Sequence, residues 1–266
     1  MTAICRKQYS NDEFCFVGGP AAVKEFSAER KGAIRFLQGS YWFGIHEEFS
    51  RPYTYVCLLR DPLKRVISLY KYTRQQPEHN MYPVTINNTI SEIYRKGRHK
   101  EALDNGQTRR VSGIWDRVPY GGVTEELFEQ AKHNLETQFS VVGTTERFDE
   151  TLLVLKKQLA WKNIYYHRHN TGKSNKVDTA PISDAEKDLI LEHNQWDKKL
   201  HQFADQLLTN AVAQYGPKFD QDLASFREGN RLRRPLFYFY WEVFRKVSVR
   251  AMARELREEG RITWPL

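Results

Sequence analysis

The chain has 266 residues, 40% hydrophobic and 13% aromatic, enough for one large α/β domain or two small ones, which excludes global disorder. Its 41 Lys and Arg against 33 Asp and Glu leave a formal charge of +8, which admits a nucleic acid, an anionic nucleotide or a sulfated or acidic polymer without choosing among them. Three cysteines (Cys5, Cys15 and Cys57) without metal-type spacing argue against a disulfide framework or a zinc site, and with no apolar signal core or membrane-length run a cytoplasmic location is expected.

The first fifty residues mix short apolar pieces with Gly18-Gly19-Pro20, which reads as a turn. Tyr55 to Leu59 is a continuous apolar run of strand length, expected to be buried on both faces. It ends on Arg60-Asp61-Pro62, where Asp61 can cap the following helix and Pro62 fits its first turn. Along that helix Val66, Leu69, Tyr70 and Thr73 recur at helical spacing and are expected to face the sheet, while Arg65, Ser68 and Tyr72 share another face. Arg60, Arg65 and the Ser68 hydroxyl thus converge where open α/β sheets bind ligands. Two guanidiniums, a neutral donor and a nearby helix N-terminus suit a phosphate.

Gln75 to Pro83 is polar and loop-like, and a helix covers about Ile86 to Lys96, ending near Gly97. The stretch Asp104 to Gly113 starts polar and turns into a short helix, and Gly121-Gly122 precedes a helix capped by Thr124 that carries Leu127, Phe128, Ala131 and Leu135. Phe139 to Gly143 reads as a second buried strand, followed by an amphipathic helix through Leu152, Leu155 and Leu159. Ser183 and Glu186 form a capping box opening the next helix, and a further one runs from about Trp196 through Leu200, Phe203, Leu207 and Ala211. Strands alternating with helices predict a parallel sheet with helical cover, although few strands are clear.

From Phe226 the composition changes: Arg231, Arg233 and Arg234 precede Leu236-Phe-Tyr-Phe-Tyr-Trp241, and a basic helix with Val243, Val247, Ala251 and Leu256 follows. Residues 1–225 are therefore expected to form the main domain and 226–266 a basic, aromatic-rich helical tail. The tail's apolar stripe can dock on the domain, on a second copy or on an anionic membrane surface. No recognised nucleic-acid motif is present, so neither a nucleic-acid partner nor a metal is expected.

Arg60-Asp-Pro-x-x-Arg65-x-x-Ser68-x-Tyr70 resembles the 3′-phosphate-binding motif of sulfotransferases that use 3′-phosphoadenosine 5′-phosphosulfate. The closer match is to the carbohydrate branch that includes heparan sulfate 2-O- and 6-O-sulfotransferases and their bacterial relatives. Gly39-Ser-Tyr-Trp-Phe-Gly44-Ile-His46 is similar to that branch's Gly-His-x-x-Phe-Gly-x-His segment, and Asn105-Gly-Gln107-Thr108-Arg109 to its Asn-x-Gln-Thr-Arg stretch. Val142-Gly143-x-Thr145-Glu146-Arg147-Phe148 resembles its Val-Gly-x-x-Glu-Arg-Phe turn, and Arg168-His-Asn170-Thr171 a nucleotide-side loop.

The resemblance implies a P-loop-type parallel sheet flanked by helices and transfer of a sulfuryl group from 3′-phosphoadenosine 5′-phosphosulfate to a saccharide hydroxyl. By it, Arg60 and Ser68 bind the 3′-phosphate and Arg65 is a helix-start cation beside the nucleotide. Arg168, Asn170, Thr171 and Lys173 lie near the adenosine end, and Asn105, Gln107 and Arg109 near the acceptor or donor cleft. Read as residues alone, Arg109 could equally pair with a carboxylate and Asn105 cap a turn.

The pattern is broken in two places. No Pro-Lys-x-Gly-x-[Ser/Thr] loop precedes Gly39, the nearest stretch being Val17 to Lys24, so the first strand and the phosphosulfate cradle are expected to be missing from an N-terminally truncated chain. The family's Gly-His is Gly39-Ser40 here, and a serine hydroxyl is a poor base near neutral pH, which leaves His46 as the candidate catalytic base. The alternative function is a truncated, inactive relative that binds nucleotide or glycan without transfer.

Overall fold

A computed structural model describes residues 1–17, 20–39, 41–114, 117–166 and 181–244. Its first elements are α1 (Thr2–Cys5), β1 (Phe14–Phe16), α2 (Pro20–Lys24), α3 (Ala28–Ala33), β2 (Phe36–Gln38) and a 3-10 turn, Ile45–Glu48. There follow β3 (Tyr55–Leu59), α4 (Pro62–Thr73), α5 (Tyr82–Asn87), α6 (Ile90–Arg95), α7 (Lys100–Leu103), α8 (Gly106–Ser112), α9 (Glu125–Thr137) and β4 (Phe139–Thr144). The remainder is helical: α10 (Phe148–Gln158), α11 (Asp184–Glu192), α12 (Gln195–Tyr215) and α13 (Phe219–Phe244). One unit comprises the described parts of Met1–Tyr53, Leu152–His169 and Tyr215–Leu266, and a second those of Thr54–Thr151 and Asn170–Gln214. Each contains one pair of parallel strands flanked by helices, a mixed α/β architecture.

In the first unit β1 pairs with β2, Phe14 opposite Phe36 and Phe16 opposite Gln38. The first fifty residues, read as short apolar pieces, thus contain two strands of three residues each, too short for periodicity to reveal, while Gly18 and Gly19 of the expected turn lie outside the described residues. Aromatic rings fasten the pair: Phe36 stacks on Tyr9 at 5.1 Å and meets Trp161 at 5.8 Å, while Trp161 Nε1 donates to Tyr9 Oη at 3.2 Å. α13 begins at Phe219 and continues through Pro235, so position 226 falls inside a helix. Val247, Ala251 and Leu256 lie outside the described residues.

In the second unit β3 pairs with β4, Val56 opposite Val141 and Leu59 opposite Thr144. A parallel pair requires a long crossover, supplied by α4 to α9. Contrary to expectation, β3 is not buried on both faces. Only Leu59 is buried and the four residues before it are half-buried; among the described residues β3 pairs with β4 alone. Leu59 and Val142 pack with Val111 of α8, Phe128 and Ala131 of α9, and Leu200 and Ala204 of α12. Val66 and Tyr70 of α4 face a second cluster, with Val84, Ile90, Ile93 and Ile190, rather than the sheet. The crossover helices need an apolar base of their own, and this face of α4 provides it.

Helix starts follow local chemistry. Thr89 with Glu92, and Ser183 with Glu186, form complete capping boxes. The first of these splits the expected helix at 86–96 into α5 and α6, and α5 occupies part of the expected loop. Thr124 stands at the N-cap of α9, but its hydroxyl donates to Glu126 at 3.2 Å instead of accepting from the helix.

A Cβ at Gly143 on β4 would overlap the side chain of Thr151 on α10. Gly143→Ala should therefore cost about 1–3 kcal/mol by overpacking, read from urea unfolding. Adding Thr151→Ala should recover part of that loss, giving a coupling of at least about 0.5 kcal/mol in the double-mutant cycle. Strict additivity would show that the two positions do not compete for space.

Candidate functional site

β3 and β4 end side by side, with Thr145 N donating to Leu59 O at 2.8 Å. Beyond Leu59 the chain must leave the ladder and start α4 within two residues. Asp61 Oδ1 accepts from Lys64 N at 2.9 Å, and Pro62 enters the first turn, where no donor is required. The peptide groups of Arg60, stranded between ladder and helix, are clamped by one side chain. Arg60 N donates to Gln107 Oε1 and Gln107 Nε2 donates to Arg60 O, both at 2.8 Å. Asp61 N donates to Glu146 Oε1 at 3.4 Å.

Gln107 is held in turn by a buried exchange of caps between α8 and α12. Asp197, in the first turn of α12, accepts from Gln107 N at 3.0 Å, from Thr108 N at 2.7 Å and from Thr108 Oγ1 at 2.9 Å. Asn105, which precedes α8 at φ 48°, returns the arrangement: its Oδ1 accepts from Trp196 N at 2.9 Å and Asp197 N at 3.1 Å. Each helix start thus receives its cap from the other helix. Gly106 is required at this junction, since a Cβ there would lie 2.8 Å from Glu101 O and 3.4 Å from Arg65 Nη1.

Arg65 closes the exchange. Its Nη1 donates to Ala102 O at 2.6 Å, and its Nη2 donates to Asn194 Oδ1 at 3.3 Å and Asp197 Oδ2 at 3.4 Å. Burial and the adjacent Arg65 bring Arg110 down to about 10. Arg109 is fully buried: Nε donates to Asp104 O at 2.8 Å, Nη1 to Val118 O at 3.0 Å and Nη2 to Pro119 O at 2.7 Å, with an ion pair to Asp104.

The structure therefore brings Arg60, Arg65, Ser68, Asn105, Gln107 and Arg109 into one unit but gives them different conditions. Asn105, Gln107 and Arg109 are buried, and their side chains bond to the chain itself. Asn105 caps and Arg109 pairs with a carboxylate, the two structural roles the residues themselves allow. Arg65 is engaged on three partners. Arg60 and Ser68 are half-buried, and neither the Arg60 guanidinium nor the Ser68 hydroxyl bonds to a described residue.

His46 belongs to the first unit, in the 3-10 turn after Gly44, with its ring stacked on Tyr53 at 3.9 Å and 5.5 Å from Phe43. Arg168, Asn170, Thr171 and Lys173 lie outside the described residues. No group of three or more His, Cys, Asp or Glu among the described residues could hold a metal, and no described helix is long and apolar enough to cross a membrane.

Reasoning from the sequence misses the polar stripe of α12. Asn194, Asp197, His201 and Asp205 recur at helical spacing, and His201 Nε2 stands 3.1 Å from Glu146 Oε2. Burial pushes the Glu146 carboxyl up, but hydrogen bonds from His201, from its own backbone and from Thr145 outweigh that and hold it below the ordinary range.

In this α/β unit the Arg60 guanidinium, at the turn from β3 into α4, and the Ser68 hydroxyl, within α4, bond to no described residue. The family model of the sulfotransferase family matches residues 9–214, well over half of the chain, which therefore belongs to that family. No curated protein matches it.

The bonding predicts a division of labour that stability measurements can read. Asp197→Ala leaves Arg65 without its carboxylate and should cost about 3–5 kcal/mol in urea unfolding. Arg60→Ala removes a side chain with no described partner and should stay within about 0.5 kcal/mol of wild type. Comparable losses in both variants would contradict the division.

Proposed function

We propose that the chain transfers a sulfuryl group from 3′-phosphoadenosine 5′-phosphosulfate to a saccharide hydroxyl. The supporting observation is that the Arg60 guanidinium, in a turn whose backbone is already held by other side chains, and the Ser68 hydroxyl of α4 bond to no described residue. A guanidinium offers a two-pronged donor to a phosphate and a hydroxyl a neutral one. The resemblance assigns both to the nucleotide's 3′-phosphate. In this proposal Gln107 fixes the Arg60 main chain, Asn105 and Arg109 fix α8 behind it, and Arg65 contributes charge from beneath the turn.

Transfer requires the acceptor oxygen to attack sulfur in line with the leaving phosphate oxygen. A new O–S bond forms as the S–O bond to the 5′-phosphate breaks, the electron pair remains on the departing 3′-phosphoadenosine 5′-phosphate, and the acceptor proton passes to a base. We assign the base to His46, whose ring is oriented by its stack on Tyr53. Arg168, Asn170, Thr171 and Lys173 are assigned to the adenosine end on the resemblance alone.

Calorimetry with 3′-phosphoadenosine 5′-phosphate tests the nucleotide site. Arg60→Ala should weaken binding about 10- to 100-fold, the loss of a charge-assisted hydrogen bond, and Ser68→Ala about fivefold. Equal affinity in wild type and both variants would remove the assignment. Labelled sulfuryl transfer over a saccharide panel tests the reaction. His46→Ala should lower kcat with nucleotide affinity unchanged, and an unchanged kcat would exclude His46 as the base.

A further inference from the structure

The first unit carries an open cavity that the proposed chemistry does not use. Lys156 and Lys157 from the last turn of α10, Tyr215, Pro217 and Lys218 where α12 gives way to α13, and Asp222 of α13 line a space of about 450 Å³. That is the size of a small-ligand site. Its single carboxylate is already taken, since Asp222 Oδ2 accepts from Tyr215 Oη at 2.9 Å. Lys157 is taken as well: its Nζ donates to Tyr215 O at 2.9 Å and lies 4.6 Å from the centre of the Tyr215 ring. Lys156 and Lys218 are exposed, and neither ammonium bonds to a described residue.

Three lysines against one engaged carboxylate make the cavity cationic. Gathered around one hollow, these charges repel one another until an anion lies between them. Much of the remaining lining is hydrocarbon, from the lysine stems and the ring of Pro217. A ligand that suits both features carries at least two anionic groups on a body with a C–H surface. A nucleobase suits it less, because stacking needs a free ring. Lys157 lies over the Tyr215 ring, and Phe219 meets that ring in a T-shaped contact at 5.2 Å.

We propose that this cavity is a binding site for a sulfated saccharide. Sulfate groups pair with Lys156 and Lys218, and a sugar ring lies against Pro217 and the lysine stems. The preference for an anion rests on the cavity alone. The choice of a saccharide rests also on the transfer reading above, in which the product is a sugar sulfate ester. A chain that already carries sulfate is thereby retained on the protein between transfers.

Calorimetry on the full chain at about 0.15 M salt tests the site, with a disulfated disaccharide, its unsulfated parent and sodium sulfate as probes. The disulfated sugar should bind at least about tenfold more tightly than either companion, since it alone offers both features. Lys156→Gln combined with Lys218→Gln should weaken it about tenfold, the scale of two solvent-exposed charge pairs. Lys156→Arg combined with Lys218→Arg should keep the wild-type affinity. Equal affinity for the disulfated sugar in wild type and the glutamine variant overturns the site. Sodium sulfate, or an oligonucleotide of equal charge, binding as tightly as the sugar overturns the choice of a saccharide.

Affinity for 3′-phosphoadenosine 5′-phosphate, measured on the same variants, separates this inference from the nucleotide reading. Nucleotide binding that depends on Arg60, with sugar binding indifferent to the lysines, overturns this inference alone. Sugar binding that depends on the lysines, with no nucleotide binding, overturns the nucleotide reading and leaves the saccharide site standing.

Discussion

A carboxylate with no access to solvent carries the second unit. Asp197 takes two backbone amides and a hydroxyl from the start of α8 and the guanidinium of Arg65 from α4. A buried carboxylate is tolerable only when its lone pairs are filled and its charge is countered, and here both conditions are met by different elements. The result is a joint between α4, α8 and α12 whose geometry cannot change in one member alone. Gln107, the residue after Gly106 in α8, inherits that rigidity and passes it to both peptide groups of Arg60.

The consequence is a separation between groups that hold and groups that remain available. Where β3 turns into α4, the backbone would ordinarily require water to satisfy Arg60 and Asp61, yet side chains from α8 and from the segment after β4 satisfy it instead. A ligand arriving there need not order the turn. On the proposed reading, binding would cost only the side-chain freedom of Arg60 and Ser68, and that is the physical content of preorganisation.

Much of this was legible in local sequence. Asp61-Pro62 announced the helix start, Ser183 with Glu186 announced another, and the apolar runs from Tyr55 and Phe139 marked the two strands that pair. What escaped is non-local or masked. The caps exchanged by Asn105 and Asp197 join residues about ninety positions apart, and no local pattern signals such a partner. The stripe of Asn194, just before α12, and of Asp197, His201 and Asp205 on it shares its period with Leu200, Ala204 and Leu208, so the apolar rhythm conceals the polar one. Arg109 was legible in part: pairing with a carboxylate was one reading of the residue, but the full burial that Asp104 and three carbonyls make possible depends on Val118 and Pro119, which no local pattern marks as partners.

Charge around the turn imposes a final constraint. Asp197 offsets Arg65, and Glu101 lies close enough to Arg110 to act on it, so the buried joint is close to neutral. At the turn itself the sequence carries Arg60 and Lys64 beside Asp61, and Glu146 lies 3.9 Å from Lys64, again two against two. On the proposed reading a doubly charged phosphate would meet no large excess of fixed positive charge here, despite the +8 carried by the whole chain. Donors in fixed positions and the dipole of α4 can offset part of its desolvation.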